Sequence, residues 1–195
     1  RTRRLALLMK RVQGRSATVP DRLGERIRVL FTDVFGQSNV RRKRLPGIAH
    51  TLIFFGFLAV QPHSAELMLR GVFPGLHMAD LAPDLYGGYL FIADILAFSV
   101  LLGLAYGLYR RIVIRPAYLP NGLDARLIIA FIAVIIVTFH LLNAFLLLPA
   151  IGDTGFDTSR FLTVSEALGD SMGLTRLSAE AARAVYETTY WIHIL

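Results

Sequence analysis

Hydrophobic residues in this chain gather in four long blocks separated by charged stretches. The blocks cover residues 45–69, 89–109, 127–151 and 184–195. A core helix of a water-soluble protein carries a polar face, and these blocks have none. About 20 apolar residues cross a bilayer core of about 30 Å, and the second and third blocks reach that length alone. The pattern therefore predicts an all-α integral membrane helical bundle, with 47–195 as its transmembrane domain.

The first and fourth blocks qualify as spans only under a condition. The first includes the polar stretch 61–66, which must then face other protein rather than lipid. The fourth is still apolar at Leu195, so it spans only if the chain continues. Since the sequence also opens at Arg1 without a methionine, we expect a fragment of a longer protein.

Positive charge is concentrated in two of the segments between the blocks. The formal net charge is +7, and 17 of the 21 Lys and Arg residues lie in 1–46 and 110–126. Cytoplasmic loops of membrane proteins carry such an excess. We therefore expect a multi-pass protein of the bacterial cytoplasmic membrane with both segments on the cytoplasmic side. Topology explains the basic excess, and no nucleic-acid partner is expected.

The basic segment 1–46 contains an amphipathic stretch at 21–35. Its apolar positions recur on one helical stripe, comprising Leu23, Ile27, Leu30, Phe31 and Phe35. Two interpretations are open. The helix lies at the lipid headgroups, with its arginines on anionic lipid, or it forms a docking surface for a soluble redox partner.

Four of the five histidines fall inside the apolar blocks, where polar groups are costly and mark candidate sites. With a rise of about 1.5 Å per residue, His63, His140 and His193 fall in the outer half of the membrane. His50 falls near the inner face. His77 belongs to a short outer loop and is not a candidate.

This set of residues is typical of b-type haem. The chain has no cysteine, so iron–sulfur clusters belong outside this segment, and histidine is the strong metal ligand that it offers. Haem iron held by two histidines needs neutral imidazoles from facing helices. His50, His63, His140 and His193 are thus predicted haem-iron ligands. The alternative is that they only form hydrogen bonds between helices.

Three further charged residues are candidates for a quinone site. Asp94 lies about two turns into the second block. It is either part of a proton path or quinone site, or a partner for Arg70 or a histidine. Glu66 and Arg70 lie one turn apart, which favours a local ion pair. They are also placed to line an outer quinone pocket.

Several motifs together resemble one family. The segments concerned are 20–30, 41–57 (RRKRLPGIAHTLIFFGF), 71–75, 109–116 and 190–195. They resemble membrane-bound iron–sulfur reductases. These join a cytochrome b domain of the nitrate reductase gamma-subunit type to a cytoplasmic iron–sulfur domain like that of heterodisulfide reductase. Some act between electron-transferring flavoprotein and menaquinone.

The resemblance implies a five-helix cytochrome b domain whose first helix precedes Arg1, with two haems b. The inner haem would use His50 and a histidine beyond Leu195. The outer haem would use His193 and a histidine of the first block, for which His63 is the nearest match. His63 lies thirteen residues after His50 instead of about ten, and it follows a proline. Depth alone permits His140 with His193 equally well.

The predicted function is electron transfer between a cytoplasmic iron–sulfur or flavoprotein donor and the quinone pool, with menaquinone as the expected quinone. The alternative is a proton-coupled transporter or channel subunit that uses the intramembrane histidines and Asp94. That alternative predicts no chromophore.

Overall fold

The structure, a computed structural model, describes residues 23–38, 40–119, 122–152 and 156–195. Within these ranges the ordered elements are all helical, and no strand forms. The chain divides into two compact units, 1–39 and 40–195. The part of the predicted amphipathic segment before Leu23 lies outside the described residues.

The described part of the first unit is one helical stretch. Helix α1, Leu23–Val29, continues into a π-helical turn, Leu30–Phe35. All five residues of the predicted apolar stripe are exposed within this unit. The rings of Phe31 and Phe35 stack with their centroids 5.6 Å apart.

The described residues of the second unit form six α-helices. They are α2 (Arg44–Val72), α3 (Met78–Leu81), α4 (Pro83–Tyr109), α5 (Leu123–Leu146), α6 (Thr163–Ser171) and α7 (Ala179–Ile194). A π-helical turn, Arg110–Ile114, extends α4. By length and composition, three helices of the described chain could cross a membrane: Arg44–Val72, Pro83–Ile114 and Leu123–Leu146.

The helix bounds differ from the sequence prediction at several ends. Helices α4 and α5, which contain the second and third apolar blocks, begin at Pro83 and Leu123. Both begin earlier than the blocks because helical turns also form in the flanking polar residues. Helix α5 ends at Leu146 rather than at 151. Pro149 disfavours the helical conformation of the residue before it, and the chain turns there. The fourth block lies in α7, whose 16 residues rise about 24 Å, less than a bilayer core.

Two glycines bring α2 and α4 close together. A Cβ built on Gly56 would lie 2.5 Å from the Leu96 carbonyl oxygen, and one on Gly103 would lie 3.0 Å from that of Ala49. At Gly56 a larger side chain requires the Leu96 backbone to shift. At Gly103 it requires the Ile53 side chain and the Ala49 carbonyl to give way. Such small-residue contacts are typical of packing between membrane helices. These two glycines therefore serve helix–helix contact.

The bundle is apolar outside, and its interior combines a hydrophobic core with a set of buried polar side chains. Large apolar side chains of the three long helices are exposed, among them Leu58, Met68, Phe91, Ile92, Ile95, Leu102, Ile128 and Phe131. The buried polar side chains include His63, Asp94, His140, Asn143 and Ser165. Extended exposed apolar surface marks interaction with a membrane or another protein. The polar groups are gathered where helix meets helix.

Candidate functional site: a buried histidine cluster

Three of the four predicted ligand histidines come together in one half of the bundle. His63 and His140 both lie against the ring of Phe139, with ring centroids 5.3 and 5.5 Å away. His193 bonds to the hydroxyls of Ser64 and Thr138, which neighbour the other two histidines in sequence. We call His63, His140 and His193 the histidine cluster. His50 is exposed and lies thirteen residues, about 20 Å, from His63 along α2.

A proline and a tyrosine fix the backbone at His63. Pro62 lies inside α2, where a proline ring disturbs the hydrogen-bond ladder. The Tyr89 hydroxyl accepts from the His63 N–H and donates to the Ala59 carbonyl, at 2.9 Å each. An uninterrupted helix would pair these two backbone groups directly. The side chain from α4 therefore bridges the ladder at this point.

The His63 ring is buried and has no hydrogen-bond partner. Its exposed fraction is 2%, and among the described residues neither ring nitrogen meets a donor or acceptor. Leaving a buried polar group unpaired costs about 1–3 kcal/mol. Native structures rarely retain such a cost without a compensating role. His63 thus offers free nitrogen atoms inside the bundle.

His193 is the histidine whose nitrogens are both occupied. Its Nδ1 lies 2.8 Å from Thr138 Oγ1, and its Nε2 lies 2.9 Å from Ser64 Oγ. The Thr138 hydroxyl donates to the Val134 carbonyl at 2.7 Å, so its oxygen faces His193 as an acceptor. The Ser64 hydroxyl likewise lies 3.3 Å from the Val60 carbonyl, so each nitrogen of His193 faces a hydroxyl that also bonds to the backbone of its own helix. In this structure His193 matches the expected alternative of hydrogen bonding between helices.

His140 is held on one side and free on the other. Its Nδ1 lies 2.9 Å from Ser165 Oγ and 3.2 Å from Asp94 Oδ1. Its Nε2 is buried and has no partner among the described residues. His140 also lines an apolar cavity of about 190 Å³ between α4, α5 and α6.

Asp94 joins α4 to the start of α6. Its carboxylate accepts from the Val164 N–H at 2.7 Å and from the Ser165 N–H at 3.2 Å. The Ser165 hydroxyl donates to it at 2.5 Å. Negative groups are stabilised at helix N-termini, where backbone N–H groups lack partners. Of the partners expected for Asp94, the structure gives it a histidine, His140, rather than Arg70.

Glu66 does not form the expected ion pair with Arg70. Its two carboxylate oxygens accept from the Met78 N–H at 3.0 Å and from the Tyr86 hydroxyl at 2.9 Å. The residue is buried, with 3% of its surface exposed. The loop after α2 folds back over Glu66 and supplies these donors, so tertiary contacts replace the local one. Glu66 thereby anchors α3 and α4.

Arg70 instead lines a cleft between α2 and α7. The cleft has a volume of about 350 Å³, and its wall on α7 comprises Tyr186, Glu187, Tyr190 and Trp191. Within the described chain the Arg70 guanidinium makes no ion pair. The cleft therefore combines three aromatic rings and the Glu187 carboxylate with an arginine that has no ion pair among the described residues.

Sequence reasoning missed the hydroxyl and amide groups around the histidines. Ser64 and Thr138 were visible as single polar residues in apolar blocks, but nothing local assigned them to His193. Asn143 is fully buried, and within the described residues both polar atoms of its side chain lack a partner. Ser165 lies in a mildly polar connection that gave no sign of entering the bundle.

The donor chemistry of this cluster fits haem iron. The described residues hold no group of three or more histidine, cysteine or acidic side chains that could bind a free metal ion. Haem iron needs only one or two axial protein ligands, and buried neutral imidazole is the usual one. His63 and the Nε2 of His140 present nitrogens that have no partner in the described ranges of the chain. Phe139, which is fully buried, fills the space between those two rings.

One known protein is similar to almost the whole chain. It is the probable iron-sulfur-binding oxidoreductase FadF of Bacillus subtilis (strain 168), which is 27% identical over 182 residues. The match covers 93% of this chain and 25% of the relative, so the chain spans about a quarter of that protein's length. The relative's name is that of an iron–sulfur oxidoreductase, the broad class that the sequence motifs resemble. No protein-family model and no solved structure matches the chain.

Proposed function

We propose that this chain is the haem b-containing membrane part of a quinone-linked oxidoreductase. It passes electrons between a cytoplasmic iron–sulfur or flavoprotein donor and the quinone pool. The observation that carries the proposal is that buried imidazole nitrogens of His63 and His140 have no partner in the part of the chain that the structure describes. The similarity to a probable iron-sulfur-binding oxidoreductase supports the redox class.

The ligands of the outer haem come from the histidine cluster, and His50 serves the inner one. A bound haem supplies one-electron redox chemistry at its iron. The chain supplies imidazole nitrogens, orients them and surrounds them with apolar side chains. His50 is exposed toward the bundle exterior, so its haem needs a second ligand from outside the described residues.

The cleft at Arg70 is the proposed site for the quinone headgroup. Its aromatic wall suits a planar ring, and the free guanidinium is placed to donate to a quinone carbonyl oxygen. Arg70 lies seven residues from His63 on α2, about 10 Å along the helix. Menaquinone is the quinone that the family resemblance implies.

The proposed topology follows from the charge distribution. Segments 1–46 and 110–126 face the cytoplasm, and the histidine cluster lies toward the opposite side of the bacterial cytoplasmic membrane. The partners are membrane lipid, quinone and an iron–sulfur domain or subunit. Electron-transferring flavoprotein is the soluble donor implied by the resemblance.

A spectrum tests the proposal directly. We expect a dithionite-reduced minus oxidised spectrum of the purified membrane protein to show b-type bands, with two haems per chain by pyridine haemochrome. His50→Ala should remove the inner haem. His140→Ala, which deletes a buried nitrogen of the histidine cluster that has no partner among the described residues, should remove the outer one. His77→Ala is the matched control and should keep both, because His77 lies in the connection between α2 and α3.

A folded preparation with a flat spectrum would contradict the proposal. Proton-coupled transport would then take first place, because the contact between Asp94 and His140 provides a buried carboxylate–imidazole pair at membrane depth.

The quinone site has its own test. Arg70→Gln should raise the KM for a water-soluble menaquinol analogue by about 10-fold or more, the loss of one charged hydrogen bond, and leave both haem bands in place. Arg160→Gln, at an exposed arginine paired with Asp157, is the control. Equal KM values for Arg70→Gln and the wild type would remove the cleft from the quinone path.

A further inference from the structure

The three residues of the histidine cluster differ in how far each is prepared to bind a ligand. His193 is oriented, but its Nε2 already bonds to the Ser64 hydroxyl. His63 has free nitrogens, but within the described residues nothing bonds to its ring to fix its tautomer. His140 alone among the three has one nitrogen held and the other free.

The contacts on the held side define the tautomer of His140. Ser165 places its hydroxyl hydrogen on Asp94 Oδ1, over 2.5 Å. Only oxygen lone pairs, from Ser165 Oγ and Asp94 Oδ1, then face His140 Nδ1. Nδ1 must therefore carry the ring hydrogen, which leaves Nε2 with an unshared electron pair inside the bundle.

From this geometry we infer that Asp94 and Ser165 are positioning residues that present His140 Nε2 as an axial ligand of the outer haem. The inference rests on the proposed function for the presence of haem. Ligand histidines usually donate their other N–H to a carboxylate, a backbone carbonyl or a water, which fixes the ring and makes it a better donor. Asp94 and Ser165 supply that arrangement before any ligand is present.

The anchoring of Asp94 makes the arrangement rigid. The carboxylate is fully buried and is held by two backbone N–H groups at the start of α6. Asp94 joins α4, α5 and α6 at one point. The His140 ring cannot turn without breaking its contacts with Asp94 and Ser165. The residue thus orients the ring rather than merely neutralising it.

The first test measures the redox potential of each haem in the purified holoprotein. Asp94→Asn should shift the potential of one haem upward and leave the other in place, because an amide oxygen accepts more weakly and makes imidazole a poorer donor to ferric iron. The same haem should show changed low-spin EPR lines. Its affinity should fall about 10- to 100-fold, as for other partners of metal ligands.

Glu66→Gln is the matched control. Glu66 is also a buried carboxylate that accepts from a backbone N–H and a hydroxyl, but its bonds go to Met78 and Tyr86. It therefore reports the effect of removing a buried negative charge without touching His140. We expect Glu66→Gln to shift the haem redox potentials less than Asp94→Asn does and to leave the EPR lines unchanged. Equal behaviour of the two variants would overturn the positioning role.

Ser165→Ala covers the case in which Asp94→Asn does not fold. It leaves Asp94 bonded to the Val164 N–H and removes only the hydroxyl between Asp94 and His140. The redox potential of the same haem should rise, but by less than in Asp94→Asn. Unaltered potentials and EPR lines in this variant, with both haems bound, would also overturn the inference.

A second measurement separates this inference from the proposed function. In haem-free protein labelled with [15N]histidine, solid-state NMR should show His140 protonated at Nδ1 and bare at Nε2, with the signal assigned by His140→Gln. A bare Nδ1 would overturn the positioning role whether or not haem binds. A protein that binds no haem would end the proposed function and the ligand role of His140, whatever its tautomer.

Discussion

The two halves of the helix bundle are built on opposite principles. The half around His50 holds α2 against α4 by glycines and small apolar side chains, at Gly56 and Gly103. The half around His63 holds its helices by hydrogen bonds between buried polar side chains, such as Asp94 with Ser165 and Ser64 with His193. We call these the glycine half and the polar half.

The two halves therefore differ in the free-energy cost of holding their helices together. Lipid does not drive apolar helices together, so close packing of small residues is the inexpensive way to join them. Buried polar groups are costly unless every partner is present. The polar half nevertheless leaves nitrogens of His63 and His140, and both side-chain polar atoms of Asn143, without partners among the described residues.

The largest expected effect breaks the polar half. Asp94→Ala removes the acceptor for two backbone N–H groups and a hydroxyl, and it leaves His140 without its partner. We expect a loss of about 3–5 kcal/mol in the free energy of unfolding, the range for breaking a buried polar pair. Unfolding in mixed SDS and mild detergent micelles measures it.

Glu66→Ala is the comparison for that variant. Its carboxylate has only two donors, so the expected loss is about 1–3 kcal/mol. A larger loss for Glu66→Ala than for Asp94→Ala would mean that the start of α6 is not the anchor described above.

The next effect breaks the glycine half. Gly56→Ala places a methyl group against the Leu96 backbone and should reduce the free energy of unfolding by about 1–3 kcal/mol through overpacking. Gly107→Ala is the control in the same pair of helices, because nothing lies within 4 Å of a Cβ built there. It should be neutral or stabilise by up to about 1 kcal/mol through helix propensity. An equal change in the free energy of unfolding for Gly56→Ala and Gly107→Ala would mean that the methyl group at position 56 meets no backbone, and so that α2 and α4 are not in close contact there.

A smaller change sharpens the comparison inside the polar half, at His63. Tyr89→Phe removes the hydroxyl that bridges His63 N–H and the Ala59 carbonyl, and should cost about 1–3 kcal/mol. It should also loosen the backbone at His63, seen as faster amide hydrogen exchange from 59 to 63. Tyr109→Phe, at a half-exposed tyrosine, should change neither quantity. Unchanged exchange in Tyr89→Phe would mean that the ladder closes without the bridge.

The smallest effect belongs to the loop at the glycine end. The hydrogen bond of Tyr118 with Lys43 lowers the pKa of the Tyr118 phenol below its ordinary value of 10, and the charge of Arg110 adds to this. A depressed pKa favours the ionised form in the folded chain, so any stabilisation is full above the unfolded pKa. It disappears as the pH falls through the folded pKa.

Absorbance at 295 nm, compared with Tyr118→Phe, measures this pKa. Lys43→Met should move it back toward 10. A Tyr118 pKa that Lys43→Met leaves unchanged would show that the ring and the ammonium, 3.4 Å from centroid to Nζ, are not paired in solution.

Sequence reasoning reached the class of fold because it depends on local composition. Runs of apolar residues that are too long and too uniform for a soluble helix force helices with apolar exteriors. The blocks at 89–109 and 127–151 were found within a few residues of α4 and α5. Helix ends were less accurate, since polar flanking residues extend a helix and Pro149 stops one.

The candidate residues were found by the same means, but their partners were not. Histidines and acids at bilayer depth are visible in sequence because they break an apolar run. Glu66 and Arg70 lie one turn apart, which favoured an ion pair, yet the chain that returns through Met78 and Tyr86 takes the carboxylate. Such a long-range contact leaves no local periodicity to read.

The sequence by itself determined the helices, their apolar surface and the polar residues that need an explanation. Only the tertiary structure decided that Ser165 enters the bundle, 71 residues after Asp94, and that His140 is held at one nitrogen while the other is free. The physical reason is the range of each interaction. Hydrophobicity and helix geometry act between neighbours in sequence. The direction of a hydrogen bond depends on which helices meet.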